Sequence, residues 1–439
     1  MFEREIYGQK ELSNGLRIVW EHMPRLRSVT VGVWVGTGSR NESSAVLLRS
    51  GTSLYTDNYS APNGISHFTE HMLFKGTESR SARELAECIE NIGGQINAFT
   101  GKELTCYFTK TLDTSLETAV EVLSDMVLHS RFDSKDIEME RNVVLEEISM
   151  DEDTPDDLVH EALAQGTYSD STLGLPILGT AESLKTIDRA AFKEYTKRYY
   201  TPDNTCISVV GNFVEEDLLA VIQKYFGNWQ RGTGSHTDYK GAKFHPGLYL
   251  RHKDIEQLHM CMAFPSPTPE EEQDSVAMAA ISTYLGGGMS SQLFQELREK
   301  RGLVYSTYTY VSSYKNNGMT AVYGAMNPDK AQEFISVVRQ QLENTARQGI
   351  DSQQLDNLRQ QMKGTLVLSA ESSVSRMNSL GKNLILYNEI KPLDQLIDMV
   401  DKLDTDRVND VLRRYLSSPE FAVSAVGSIT EKQLTEYMK

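Results

Sequence analysis

Long apolar runs are missing from this 439-residue chain. No stretch approaches the roughly 18 uninterrupted apolar residues that a bilayer-spanning helix needs, which excludes a membrane span. Cysteine is scarce. Cys88, Cys106, Cys206 and Cys261 are widely scattered and form no Cys-x-x-Cys pair. A disulfide framework does not fit, and the four read as reduced thiols of a cytosolic protein. Positive charge is also in deficit, with 44 Lys and Arg against 61 Asp and Glu and a formal net charge of −17. Nucleic acid is thereby disfavoured as a partner, because phosphate contacts need clustered cations. The start, Met1-Phe2-Glu3-Arg4-Glu5, lacks a basic stretch followed by an apolar one, and its early glutamates do not suit a mitochondrial presequence. Cytoplasmic localisation is the expectation.

What is present is concentrated in His67-Phe68-Thr69-Glu70-His71. Positions i, i+3 and i+4 share one face of a helix, so two imidazoles and a carboxylate can meet one cation. Two neutral nitrogen ligands and a carboxylate able to take a proton from water are what a hydrolytic zinc site requires. The order reverses the commoner His-Glu-x-x-His and is the inverzincin signature. One Zn2+ per chain is expected, with His67 and His71 as ligands and Glu70 as general base. A catalytic zinc takes a third protein ligand. The acidic segment 136–150 is the expected donor. Its helical period puts Glu140 and Glu147 on one stripe, with Glu146 about 100° away from Glu147. Pattern alone leaves both Glu146 and Glu147 open as the ligand.

The chain repeats itself weakly. Residues 185–218 lie without gaps over 401–434, bringing Arg198-Tyr199 onto Arg414-Tyr415 and Val210-Gly211 onto Val426-Gly427. Each copy reads as a helix, a turn, an apolar strand ending in glycine and a second, capped helix. A period near half the chain points to duplication of one domain. The expected fold class is α+β, with two homologous α/β sandwich domains, each a mostly antiparallel sheet with helices packed on one side. The expected boundaries are 1–228 for an N-terminal zinc-binding domain, 229–246 for a hinge rich in glycine and polar residues, and 247–439 for a C-terminal homologous domain. Asn14-Gly15 between Leu12 and Leu16 predicts a two-residue hairpin turn. Residues 29–35, 96–111 and 303–323 are strand-like, whereas 82–92, 115–129 and 134–150 carry helical spacing.

The block Asn63-Gly-Ile-Ser-His-Phe-Thr-Glu-His-Met-Leu-Phe-Lys-Gly-Thr77, with Val143-Val144-Leu145-Glu146-Glu147, resembles the pitrilysin and mitochondrial-processing-peptidase group of zinc metallopeptidases. The resemblance covers nearly the whole chain. It implies Glu147 as third ligand, 76 residues beyond the second histidine, and Glu140 as a carboxylate that assists catalysis beside the metal. It implies that Asn97, Ala98 and Phe99 lie on an edge strand to which substrate adds as another strand. It also maps an Arg/Tyr pair seven apart onto Arg298 and Tyr305, with Arg301 as a rival on spacing, to stabilise an oxyanion. The glycines at 286–288 are followed by no Gly-Lys-Ser/Thr, so a phosphate loop does not fit. His22, His129, His160, His236, His245, His252 and His259 are left without a metal role.

The resemblance further implies that the two domains form half of a clamshell around a substrate chamber, and that the chain pairs as a homodimer. The function expected is that of a zinc metalloendopeptidase acting on short or unfolded peptides. The alternative is a catalytically silent peptide-binding or structural subunit. One departure stands out, an apparent insertion around residues 45–62, directly before the metal helix.

Overall fold

The computed structural model describes residues 6–43, 60–232, 239 and 241–439. Most of the insertion around 45–62 lies outside the described residues, as do 233–238 and 240 of the expected hinge, including His236. In chain order the strands are β1 (Ile6–Glu11), β2 (Arg17–His22), β3 (Ser28–Val35), β4 (Gln95–Thr100), β5 (Thr105–Leu112), β6 (Thr205–Gly211), β7 (Gly247–His252), β8 (Leu258–Pro265), β9 (Val304–Tyr314), β10 (Asn317–Met326) and β11 (Ala422–Gly427). The helices are α1 (Ile65–Leu73), α2 (Ala82–Glu90), α3 (Leu116–His129), α4 (Ser134–Glu152), α5 (Pro155–Thr167), α6 (Ala181–Leu184), α7 (Arg189–Tyr199), α8 (Glu215–Phe226), α9 (Glu272–Gly286), α10 (Ala331–Gln348), α11 (Ser352–Ser369), α12 (Ser373–Tyr387), α13 (Leu393–Asp401), α14 (Thr405–Leu416) and α15 (Glu431–Tyr437). Among the described residues no helix is long and apolar enough to cross a membrane.

Two compact units result, and neither follows a continuous stretch of chain. The first comprises Met1–Ile148, Leu175–Asp238 and Val367–Leu393; the second comprises Ser149–Gly174, Tyr239–Leu366 and Asp394–Lys439.

The first unit is built on a six-stranded sheet in the order β1-β2-β6-β3-β5-β4. Only β2 and β6 run parallel. One face, with Ile18, Val31, Tyr107 and Val209, forms the main core with residues from α1, α3, α7 and α8. Helices α1, α3, α7 and α8 thus lie on one side. The opposite face has a further cover. Val19, Trp34, Cys106, Cys206 and Val210 meet Met377, Leu380 and Leu384 of α12, a helix from the other half of the sequence. Ser208 Oγ accepts from Trp34 Nε1 at 2.8 Å and donates to the Met377 carbonyl at 3.1 Å. Gly381 is what lets α12 approach, since a Cβ there would stand 2.1 Å from Trp34 Nε1.

The second unit repeats this plan in five strands, β7-β11-β8-β10-β9, again with a single parallel pair, β7 and β11. Its second face is covered by α5, whose Leu158, Val159 and Leu163 pack with Cys261, Ala263 and Ala321. Ser424 Oγ donates to the Val159 carbonyl at 2.7 Å, the counterpart of the Ser208 bond. The repeated segments coincide in detail. Asp188 caps α7 through Ala191 N, and Asp404 caps α14 through Arg407 N. Strands β6 and β11 both end on a glycine with φ near +140°, Gly211 at 142° and Gly427 at 141°. At Gly211 a Cβ would meet the Ser28 carbonyl oxygen at 2.3 Å, so only glycine fits.

The hairpin turn differs from expectation. Leu12 N bonds Leu16 O and Gly15 N bonds Leu12 O, so the loop holds three residues, ending on Gly15 at φ 91°. That is a turn followed by a left-handed residue, the next commonest hairpin connection. Asn14 is diverted from a two-residue turn because its amide donates to the Phe226 and Trp229 carbonyls at the end of α8. All four cysteines are free thiols.

Candidate metal centre

Helix α1 is anchored at its apolar positions: Ile65, Phe68, Met72 and Leu73 are buried, with Phe68 edge-on to Phe192 at 4.9 Å. The remaining face presents His67, Glu70 and His71. Its first turn is capped from a distance. Glu42, fully buried, accepts from Asn63 Nδ2 at 2.8 Å, Gly64 N at 2.7 Å and Ser66 N at 2.8 Å. A carboxylate at a helix N-terminus satisfies N–H groups that have no partner within the helix and faces the positive end of its dipole. Burial nonetheless pushes the Glu42 carboxyl above its ordinary value, against the lowering effect of its hydrogen bonds. Ser43 N bonds Ala61 O at 2.8 Å, so the two ends of the insertion are fastened together beside the same helix start.

Helix α4 turns Ile137, Glu140, Arg141 and Val144 inward. Arg141 fixes its rotation, bonding the Leu184 and Ile187 carbonyls and lying 5.6 Å from the Phe68 ring. One turn beyond Val144, Glu147 Oε2 comes within 3.7 Å of His67 Nε2 and 3.5 Å of His71 Nε2. Ligand atoms of His67, His71 and Glu147 all lie within 4.8 Å of one another. Glu146, the other open choice for the third ligand, is exposed and outside this group.

The donor set fits a divalent cation. Glu147 Oε2 is buried and has no hydrogen-bond partner among the described residues, an arrangement costly for a carboxylate unless a cation joins it. His71 Nδ1 is 2.9 Å from Glu140 Oε1, and the other Glu140 oxygen meets Lys75 Nζ at 2.5 Å. With Nδ1–H donated to Glu140, the Nε2 lone pair of His71 faces Glu147. Two nitrogens and a carboxylate oxygen are the ligand types of catalytic zinc sites.

The electrostatics are those of donors pressed together. Burial and the neighbouring His71 push His67 down to about 4. Burial also acts to lower His71, but the hydrogen bond with Glu140 and the Glu147 carboxylate 3.5 Å away outweigh it and raise this imidazole to about 9. Glu147 is lowered, chiefly by His71. Glu140 is lowered too, the bonds with His71 and Lys75 overcoming its burial. Glu70 is raised by burial, against a hydrogen bond from Thr100.

Strand β4 is an edge of the first sheet, paired among the described residues with β5 alone. Asn97 is exposed, while Ala98 and Phe99 are half-buried, Phe99 lying edge-on to Trp34 at 5.6 Å. Asn97 Oδ1 accepts the Ala98 amide at 2.8 Å. Arg298 and Tyr305 belong to the second unit and meet there. The guanidinium lies 5.3 Å from the Tyr305 ring and 5.0 Å from that of Phe294 on a π-helical turn (Phe294–Glu299), and Tyr305 is 76% exposed. Arg301 is instead paired with Glu296 at 2.6 Å, which occupies the rival arginine.

His160 and His259 are satisfied within the second unit, His160 by the Tyr310 and Tyr308 hydroxyls and His259 by that of Tyr323. A separate groove of about 740 Å³ lies where α3, α7 and α8 end, with Lys193, Lys197 and Lys224 on its wall. Cations there complement helix C-termini. Two residues at the metal centre were not foreseen. Glu42 carried no local signal, whereas Thr100 closes the Asn97-Ala98-Phe99 block and could have been picked out as its last polar side chain.

Residues 17–181 match the family described as insulinase (peptidase family M16), and 186–362 match the one described as the peptidase M16 inactive domain. An uncharacterized zinc protease of Bacillus subtilis (strain 168) is 42% identical, over 94% of this chain and 96% of its own length. One of Mycobacterium leprae is 34% identical, over 96% and 92%. Among solved structures, a protease from Helicobacter pylori superposes with a TM-score of 0.85 at 21% identity, covering 96% of this chain and 99% of that one. A putative M16-like peptidase from Alicyclobacillus acidocaldarius gives 0.82 at 20% identity, over 98% and 100%. At such identities the structures speak to the fold alone.

Proposed function

The chain belongs to the insulinase (peptidase M16) family, and from that premise we propose that it is a zinc-dependent endopeptidase for short or unfolded peptides. The observation that carries the reading is the convergence of His67, His71 and the unpartnered Glu147 oxygen on one point of the first unit. These three side chains would hold the ion, which supplies a Lewis acid that acidifies water and polarises a peptide carbonyl. Glu70, on the same helix face, takes the proton released from water and returns it to the departing amine. Glu140 holds His71 in the tautomer that leaves Nε2 free to bind. The edge of β4 that is unpaired among the described residues, with Asn97, Ala98 and Phe99, suits an extended peptide added as a strand, recognised mainly through its backbone. Arg298 and Tyr305 carry the donor chemistry an oxyanion needs. The reading includes action in the cytoplasm as a homodimer, which sedimentation of the purified chain checks.

Metal content and peptide turnover test the central claim together. Purified protein should contain about one zinc per chain and cleave a quenched peptide library. His67→Ala and Glu147→Ala should lose both metal and cleavage. Normal zinc content in both variants would remove the assigned ligands. Full zinc occupancy without any cleavage would favour a silent peptide-binding subunit.

A further inference from the structure

The base and the peptide-binding edge are joined by one hydrogen bond. Thr100 is the last residue of β4, and its Oγ1 donates to Glu70 Oε2 at 2.5 Å. No other hydrogen bond reaches the Glu70 side chain among the described residues, and Oε1 has no partner there. A glutamate has three side-chain torsions, and ordering it costs rotamer entropy. Threonine is suited to supply that order, because branching at Cβ makes its χ1 stiff and the strand sets its direction. The strand is itself held: Thr100 stands opposite Thr105 on β5, and Gly101 N bonds Leu104 O at 2.8 Å to close the turn.

We propose that Thr100 is a positioning residue that locks Glu70 with one carboxylate oxygen occupied and the other free to accept a proton, so that the strand receiving the peptide also aims the base. This rests on the peptidase reading and adds to it a mechanical link between substrate register and proton transfer. The free oxygen is Oε1, because Thr100 holds Oε2. A peptide added along β4 is then placed by the same backbone that places the base. A shift of the strand by a fraction of an ångström would be felt at both.

Thr100→Val removes the hydroxyl and keeps the branched shape. It should lower kcat by about tenfold to a hundredfold with KM and zinc content little changed, because aim and not affinity is lost. Thr100→Ser, which restores the donor, should recover most of the rate, a rescue that a packing role would not produce. The second readout does not depend on cleavage. Crystal structures of the zinc-free wild type and Thr100→Val should show Glu70 ordered in the first, and rotated or disordered in the second. Should Thr100→Val fail to fold, Thr100→Ala takes its place in both measurements. An unmoved Glu70 carboxylate in the variant overturns the proposal whatever the protein cleaves, as does a variant kcat equal to that of the wild type. If the wild type cleaves nothing while Glu70 moves as expected, the positioning role stands and the peptidase reading falls.

Discussion

The two units share a strand order, one parallel pair and a covering helix drawn from the other sequence half, yet among the described residues only the first gathers side chains that could hold a metal ion. The first unit fills the connection between β3 and β4 with α1 and its two histidines. The second fills the corresponding connection, between β8 and β9, with α9, a mostly buried helix. Its Asp274 is clamped by Arg407 at 2.9 Å and Arg414 at 2.5 Å. Counted from the starts of α4 and α11, Glu140 and Glu147 correspond in position to Leu358 and Thr365. Five side chains therefore mark the candidate metal site of the first unit, and the topology is indifferent to their presence. Helix packing is fulfilled equally by a metal face or by an apolar one clamped with charge.

The sharpest break in this comparison should come from catalytic substitutions in each unit. Glu70→Gln keeps the size of the base and removes its proton affinity, so turnover should fall by about 10² to 10⁴-fold with zinc retained. Tyr305→Phe should cost roughly 10² to 10³-fold in kcat if the second unit donates to an oxyanion. An unchanged kcat in Tyr305→Phe would confine the chemistry to the first unit.

Next in size is the close approach of each covering helix. Gly381→Ala drives a Cβ into the Trp34 ring, which is 1% exposed and hydrogen-bonded to Ser208. We expect a loss of about 2–3 kcal/mol from overpacking. Gly166→Ala meets Tyr249 at 2.2 Å, but that ring is half-buried and can yield, so about 1 kcal/mol less is expected. Chemical denaturation followed by tryptophan fluorescence separates the two, because Trp20, Trp34 and Trp229 all belong to the first unit. Gly381→Ala should shift that transition and Gly166→Ala should leave it nearly unmoved. Equal shifts would mean that the units unfold as one.

The smallest effect concerns pH. Burial acts to raise Asp274, but the hydrogen bonds from Arg414 and Arg407 prevail and hold its carboxyl below the ordinary range. A folded-state value depressed in this way adds stability above the unfolded carboxylate value near 4. That stability is lost as pH falls through the folded value. Both arginines are roughly two-fifths exposed, so Asp274→Asn should cost only about 1 kcal/mol at pH 7. In urea titrations repeated toward pH 3, the gap between variant and wild type should narrow. A gap that stays constant would show that the clamp acts by shape.

The candidate metal helix was legible because His67, Glu70 and His71 lie within five residues and share one face. On helical pattern alone the candidate third ligand was a choice of two, which the family resemblance narrowed to Glu147, since Glu146 and Glu147 have identical chemistry and differ only in which way α4 is rotated. That rotation is decided by Arg141 and Val144 packing inside. The repeat marked β6 and β11 correctly, including their glycine ends, because backbone conformation constrains those residues locally. The exchange of α5 and α12 was invisible. Each is an ordinary amphipathic helix, and nothing in its spacing says which sheet it will cover. Glu42 escaped for the same reason, its role depending on hydrogen bonds to a helix start more than 20 positions away.

The position of α12 in the chain has a consequence for synthesis. A ribosome must complete β7 through β10 before the helix that closes the first sheet emerges. Until then the nascent chain carries an apolar face bearing Trp34 and the thiols of Cys106 and Cys206, surface of the kind that holdase chaperones recognise and that aggregation exploits. The second sheet waits longer still, because β11 must enter between β7 and β8 and is the last strand made. Each unit thus needs chain from both sequence halves before the second face of its sheet is covered.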